Sequence, residues 1–288
     1  MKKLHIKVFT AFSGYDSQCM ALDRLHEMYP EFSYELVGWS EIDGPAIKSH
    51  NAVFPEAAHL NQGDISKVDW SQVPDFDLFT YSSPCQDFSR CGIQRGGEKG
   101  AGTRSSLLWE CERTIREKRP KYCLLENVKA LYSDKKFHGL LMRWKDMVDS
   151  YGYKSWIKVL NAADYDVPQG RERVFMVSIR TDVWEKEFKC NDYLFPAPMP
   201  RKRKIEDFLV EPDKVPEEYY IAEHKIPKFL NLLNHAGEDF EDNLTEEQKS
   251  AINAIEYKKD VKNTIGTMSV ETGLNGYVPQ KDKENALF

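Results

Sequence analysis

Short apolar runs of strand length alternate with amphipathic stretches of helical period along the first 180 residues, and that alternation leaves few architectures open. Val8–Phe12 is the first run, followed by a helical stretch in which Met20, Leu22, Leu25 and Met28 form an apolar stripe. Tyr34–Trp39 reads as a second strand and Asp43–Phe54 as a helix; Asp75–Tyr81 is a third apolar run. A polar, glycine-rich segment, Arg90–Arg104, precedes a helix over Ser106–Lys118. Lys121–Leu125, Trp156–Leu160 and Arg173–Ile179 complete the strands. The expected fold is α/β, a doubly wound and mostly parallel sheet wrapped by helices. After about Thr181 the periodicity fades, with helical patches only at Ile226–Leu233 and Glu246–Tyr257. Two domains are expected: a larger one over 1–180 and a small, irregular one over 181–288.

Charge narrows the partners. The chain of 288 residues carries a formal net charge of -6, which argues against a nucleic-acid surface spread over the whole molecule. Contact with a polyanion must therefore be local. The densest cationic cluster is Arg201-Lys202-Arg203-Lys204, just past the proline-rich Phe195–Pro200; taken alone, such a run reads as a solvated loop. No apolar run approaches the ~20 residues a membrane helix needs, and the charged Met1–Lys7 does not form a signal-peptide core. A cytoplasmic protein without membrane partners is expected. The six cysteines are scattered without a CxxC pair, so neither a metal site nor a disulfide framework is expected.

Six places carry chemistry. A glycine-bearing turn, Ser13-Gly14-Tyr15, sits between the first strand and its helix, where backbone N–H groups meet nucleotide-like ligands. Glu41 ends the second strand, where a carboxylate can accept ribose hydroxyls, and Asp64 follows Gly63 in the next unit. Cys85 follows the third run in Ser82-Ser83-Pro84-Cys85-Gln86, a proline before it and a glycine-rich loop after it. That setting suits an exposed nucleophile better than an inert core thiol. Glu126 ends the next strand, and Gln169-Gly170-Arg171-Glu172-Arg173 enters a later one with two arginines at alternate positions, an anion clamp if they face the crevice.

Together these segments resemble the cytosine-5 DNA methyltransferase family, in order, over roughly the first 180 residues. The resemblance implies a Rossmann-like S-adenosylmethionine-dependent methyltransferase fold and an enzyme acting on double-stranded DNA. It assigns Phe12, Ser13, Gly14 and Tyr15 to the cofactor loop, Glu41 and Ile42 to the ribose segment, and Asp64 and Ile65 to the adenine; Pro84 and Leu107 complete the cofactor set. Cys85, Glu126, Arg171 and Arg173 are the implied catalytic residues; Gln86, Ser89, Arg90, Arg95, Arg104 and Gln169 are the implied DNA contacts. The implied reaction transfers a methyl group to C5 of a flipped-out cytosine through a covalent Cys85 adduct, in a restriction-modification or phage DNA-modification setting.

The chain departs from the family pattern in two places. Asp16-Ser17 stands where further glycines are usual, and Asp16 is expected to cap the helix and to face the cofactor's charged groups. Phe195–Tyr220 resembles the entry to the recognition region, yet nothing matches the last two C-terminal motifs, so a second polypeptide is expected to supply them or the product is truncated. The rival readings are a cofactor- or DNA-binding remnant without turnover, and a tRNA cytosine-5 methyltransferase.

Overall fold

A computed structural model describes residues 3–83, 104–188 and 192–220. It divides into two units, Met1–Leu160 with Glu172–Pro196, and Asn161–Arg171 with Ala197–Phe288.

The first unit is built on strands β1 (Leu4–Ala11), β2 (Phe32–Ser40), β3 (Leu78–Tyr81), β4 (Tyr122–Val128), β5 (Tyr153–Asn161) and β6 (Glu172–Arg180). Its helices are α1 (Ser17–Met28), α2 (Gly44–Val53), α3 (Glu110–Lys118), α4 (Ala130–Ser133), α5 (Lys135–Ser150) and α6 (Thr181–Glu187). The strands form one sheet in the order β2-β1-β3-β4-β6-β5. β1 pairs in parallel with β2 and β3, and β3 with β4, whereas β6 runs antiparallel to β4. The expected doubly wound α/β fold is what forms.

Pleating sorts the side chains. Phe9 and Ala11 of β1, with Phe79, Tyr81, Leu125 and Met176, pack against Leu108, Ile115, Leu141 and Trp144 from the α3 and α5 side. Ile6 and Val8 point the other way, onto Leu22 of α1, and Ile179 meets Val183 and Trp184 of α6. Each fully buried Leu, Phe or Ile contributes roughly 1.5–3 kcal/mol relative to leaving it in water. Helix starts are set by aspartates: Asp43 accepts from Ala46 N, with Pro45 in the first turn of α2, and Asp134 accepts from Lys136 N to open α5.

One expectation for α1 fails. Met20, Leu25 and Met28 of the apolar stripe are exposed, Met28 by 67%, and only Cys19 and Leu22 are buried. The face that meets the sheet is the Cys19–Leu22 face, and sequence period alone does not choose between faces.

In the second unit, Asn161 Oδ1 accepts from Ala163 N and Arg171 N and so closes the loop between β5 and β6. Tyr165 bridges Met199 in parallel, and short 3-10 turns follow at Ile205–Phe208, Pro212–Lys214 and Glu217–Tyr219. Among the described residues no helix is long and apolar enough to cross a membrane. The helical patches expected at 226–233 and 246–257 lie outside the described residues.

Candidate active site

The chain runs from β1 to β2 on one side and then crosses to β3 on the other, so the strand order reverses at β1. Open α/β sheets bind ligands in the crevice beyond the carboxyl ends of the strands at such a point. Register determines which residues stand there. Ala11 pairs with both Ser40 and Tyr81, and Tyr81 pairs with Leu125. One residue further along each strand come Phe12, Glu41, Ser82 and Glu126, in a row along one rim.

Contacts continue that register past the strand ends. The Ser82 hydroxyl donates to Glu126 Oε2 at 2.7 Å, and Asn127 Nδ2 donates to the Ser83 carbonyl at 3.1 Å. Two side chains of β4 thereby tie down the segment that leads to Pro84. From the other side Arg173 Nε reaches Glu126 Oε1 at 3.2 Å, the two side chains being 23% and 22% exposed. This pairing exists because β6 is antiparallel: its first residues abut the last residues of β4, with Val128 opposite Arg173. Arg173 also donates through Nη1 to the Glu172 carbonyl at 2.8 Å, and Lys129 Nζ holds the Glu172 carboxylate at 2.8 Å. The Glu126 carboxylate is thus fixed at both oxygens while about a fifth of the side chain stays open to solvent.

At the β1 and β2 ends, three backbone N–H groups converge on one carboxylate. Glu41 Oε1 accepts from Ile42 N at 2.8 Å and Asp43 N at 2.9 Å, and Oε2 accepts from Gly14 N at 3.0 Å. The turn from Phe12 to Asp16 needs left-handed backbone at Phe12 (φ 56), Gly14 (φ 58) and Asp16 (φ 64). A Cβ on Gly14 would stand in open space, with nothing within 4 Å. Ile42 and Tyr15 beside this turn are exposed by 68% and 54%, Phe12 is half-buried, and Ser13 is buried with its hydroxyl on the Thr10 carbonyl. Asn61 links the next segment: it accepts from Glu41 N and Gly63 N and donates to the Glu41 carbonyl. Asp64 accepts from Ser66 N and Ser66 Oγ, which hold its carboxyl below the usual range, and Ile65 is buried in the core.

Asp16 corrects an expectation. It caps α1 through Cys19 N, as foreseen, but it is fully buried, takes the Thr10 hydroxyl at 2.7 Å and lies 3.6 Å from His50 Nε2. His50, itself buried, stacks on Trp39 at 3.7 Å. The carboxylate faces this interior pair and has no exposed surface of its own.

Of the other foreseen residues, Leu107 is half-buried in the 3-10 turn Arg104–Trp109, which Arg104 opens. Gln169 and Arg171 are exposed and belong to the second unit, with Arg171 N on Asn161 Oδ1. Pro84, Cys85, Gln86, Ser89, Arg90 and Arg95 lie outside the described residues. Ser82, Asn61 and His50 were given no role from sequence. Only Ser82 carried a signal, its position three residues before the cysteine.

A family model described as C-5 cytosine-specific DNA methylase matches residues 6–286. The type II methyltransferase M2.ScrFI of Lactococcus lactis subsp. cremoris is 32% identical over 275 residues, 77% of this chain and 71% of that protein. The orphan methyltransferase M.SPRI of Bacillus phage SPR is 33% identical over 271 residues, 86% of this chain and 59% of that protein. The chain therefore spans only part of the length of these relatives. Among solved structures, the Entamoeba histolytica methyltransferase EhMeth superposes with a TM-score of 0.58 at 17% identity, over 80% of this chain and 67% of that one. The S. pombe Dnmt2 methyltransferase gives 0.53 at 18%, over 78% and 65%. These structural likenesses bear on the fold. The sequence matches go further: the chain belongs to the C-5 cytosine-specific DNA methylase family.

Proposed function

We propose that this chain is a DNA cytosine-5 methyltransferase that uses S-adenosylmethionine, acts on double-stranded DNA and works through the thiol of Cys85. The observation that carries the reading is the Glu126 carboxylate, held by Ser82 and Arg173 at the carboxyl rim of the sheet. Covalent reach adds to it: Cys85 is two residues from the anchored Ser83, and two residues of chain span at most about 7 Å. In this proposal the Cys85 thiol works beside the Glu126 carboxyl, to which the anchored Ser82 and Ser83 lead the chain.

The residues at the cofactor end fit the expected ligand. The two oxygens of Glu41 offer about four acceptor sites, of which three are taken by backbone N–H groups, so one stays available for a ribose hydroxyl. The open space at Gly14 admits close approach, and the exposed apolar surfaces of Ile42 and Tyr15 suit an adenine ring. Phe12, Ser13, Asp64, Ile65, Pro84 and Leu107 complete the proposed cofactor set. When bound, S-adenosylmethionine supplies an electrophilic methyl group beside C5.

Cytosine C5 is a weak nucleophile until C6 is attacked. In the proposed sequence the Cys85 thiolate forms the S–C6 bond, and Glu126 hydrogen-bonds N3 and passes a proton to it as charge builds in the ring. Arg173 holds Glu126 in place and, with Arg171, meets the carbonyl or phosphate of the target nucleotide. With the methyl group on C5, loss of the C5 proton to solvent and cleavage of the S–C6 bond restore the thiolate and the C5=C6 double bond, and N3 returns its proton to Glu126. The base must leave the duplex first, at a cost of a few kcal/mol. Gln86, Ser89, Arg90, Arg95, Arg104 and Gln169 are the proposed DNA contacts. The type II and phage relatives favour a role in a DNA-modification system.

The test is methyl transfer from labelled S-adenosylmethionine to duplex DNA, followed by trapping on DNA containing 5-fluorocytosine. A covalent complex that Cys85→Ser abolishes supports the reading. Methylation confined to tRNA would replace DNA as the substrate, and the absence of any adduct would leave a binding protein.

A further inference from the structure

We propose that Arg201, Lys202 and Lys204 form a phosphate-binding ridge for the backbone of duplex DNA, with Asp166 and Arg203 as its internal scaffold. The inference rests on the reading above that duplex DNA is the substrate, and it names a contact surface on the second unit.

A four-residue basic run is ordinarily a solvated loop, but this one is fixed at its backbone. Asp166 Oδ1 accepts from Lys202 N at 2.6 Å and from Arg203 N at 2.8 Å. Arg203 Nε turns back onto the same residue, 3.0 Å from its carbonyl and 3.1 Å from Oδ2. Asp166 adopts φ 61, an uncommon conformation for a non-glycine residue, and its side chain is 18% exposed. The Arg203 guanidinium also lies 5.1 Å from the centre of the Phe208 ring. Just upstream, Met199 N donates to the Asp164 carbonyl at 2.7 Å, so the strand entering the run is held as well.

One of the four cations is thus consumed by the scaffold. The other three are exposed, and among the described residues none of them forms an ion pair with a carboxylate. Three cations kept together on a fixed backbone repel one another, and a row of phosphates is the partner that relieves this. The chain as a whole is anionic at -6, so long-range attraction toward DNA cannot come from its average charge. A local ridge can supply it. Asp166 lies three residues before Gln169 in the same unit, so the scaffold also anchors the loop that carries Gln169 and Arg171.

The experiment measures binding of the full chain to a labelled duplex as salt is varied, for the wild type and for R201Q/K202Q/K204Q. Each phosphate contact steepens the negative slope of log affinity against log salt by about 0.9, so losing three reduces its magnitude by about 2.7. The control K48Q/K135Q/K186Q removes the same charge from exposed positions of the first unit and is expected to change the slope little. An unchanged slope in the ridge variant, or a fall no larger than the control's, overturns the inference. Tighter binding to a folded RNA of equal length at matched salt overturns duplex DNA as the partner. If the wild type methylates the duplex while the ridge variant keeps the wild-type slope, only this inference fails. If the wild type binds the duplex with the expected slopes but methylates nothing, the ridge stands and the proposed activity fails.

Discussion

The hydroxyl of Ser82 donates to Glu126 Oε2 across 2.7 Å, joining the residue after β3 to the third residue from the end of β4. Parallel register puts the two side by side, and the short distance makes the contact an orienting one. Ser82→Ala removes one of the two groups that fix the carboxylate. On the proposed reaction, kcat is expected to fall about tenfold, equivalent to ~1.4 kcal/mol, with KM for S-adenosylmethionine unchanged. Ser82→Thr retains the donor and is expected to recover most of the rate. Steady-state kinetics on duplex DNA check this, and an unaltered kcat in Ser82→Ala rules the contact out of catalysis.

Three thiols should be inert. Cys19, Cys111 and Cys123 are buried, and burial pushes each well above the ordinary thiol range; the Asp16 carboxylate adds to this at Cys19. Since the thiolate is the reactive form, brief alkylation of the native protein is expected to leave these three unmodified, and denaturant to expose all of them. Peptide mass spectrometry reads the outcome. Rapid native labelling at Cys111 would contradict the packing of α3 on the sheet.

Asp16 is expected to matter for stability first. Asp16→Ala removes the cap on α1, worth about 1 kcal/mol, and leaves the Thr10 hydroxyl without its acceptor inside the protein. It also places alanine at φ 64. A loss of roughly 2–3 kcal/mol follows. Asp16→Gly loses the same bonds without the backbone strain and should lie about 1 kcal/mol above the alanine variant. Urea denaturation of the two variants gives the order; the reverse order would show that the left-handed turn is not kept in solution.

Gly38 faces Phe9 at the point where the β1–β2 register shifts. A Cβ there would lie 2.7 Å from Phe9 Cε2, inside a cluster that also holds Trp70, Phe76 and Phe79. Gly38→Ala is expected to destabilise the protein by about 1–3 kcal/mol through overpacking. Thermal unfolding measures it, and a neutral result would mean that Phe9 swings aside freely.

Asp77 gives a pH signature. Its partial burial opposes the charge, but Lys121 Nζ at 2.8 Å and Lys7 N at 2.9 Å outweigh this and hold the carboxyl below its ordinary value. A depressed native value means that the bound, charged form stabilises the fold above the unfolded value near ~3.9, and that this contribution is lost as pH falls through the lower native value. The stability gap between wild type and Asp77→Asn should therefore be about 1 kcal/mol at pH 7 and shrink below about pH 4. A gap that persists at pH 2 would assign it to packing.

The sequence made the strands and their order of appearance legible because buried parallel strands are nearly continuous apolar runs bounded by polar turns. It made Glu41 and Glu126 legible because a carboxylate directly after such a run has to stand at a strand end. The rest needed three dimensions. The Asp16–His50 neighbourhood joins residues 34 positions apart through the packing of two helices on one strand, and no periodicity reports it. Asn61 works through backbone groups of Glu41 and Gly63, which any polar residue type could suggest and none would prove. The exposed face of α1 misled because Met20, Leu25 and Met28 look like core until Cys19 and Leu22 are seen to fill that place.

The antiparallel setting of β6 against β4 has an effect on how such a rim can be furnished. In an all-parallel arrangement only chain segments leaving the sheet can offer functional groups at this edge, and every one must come from a strand's last residue or the loop after it. Reversing β6 lets an incoming segment contribute as well, so the guanidinium of Arg173 is planted in regular, ladder-bonded backbone at the very start of its strand. Its aim is then governed by the stiffest part of the molecule, while the departing loops stay free to vary in length and composition.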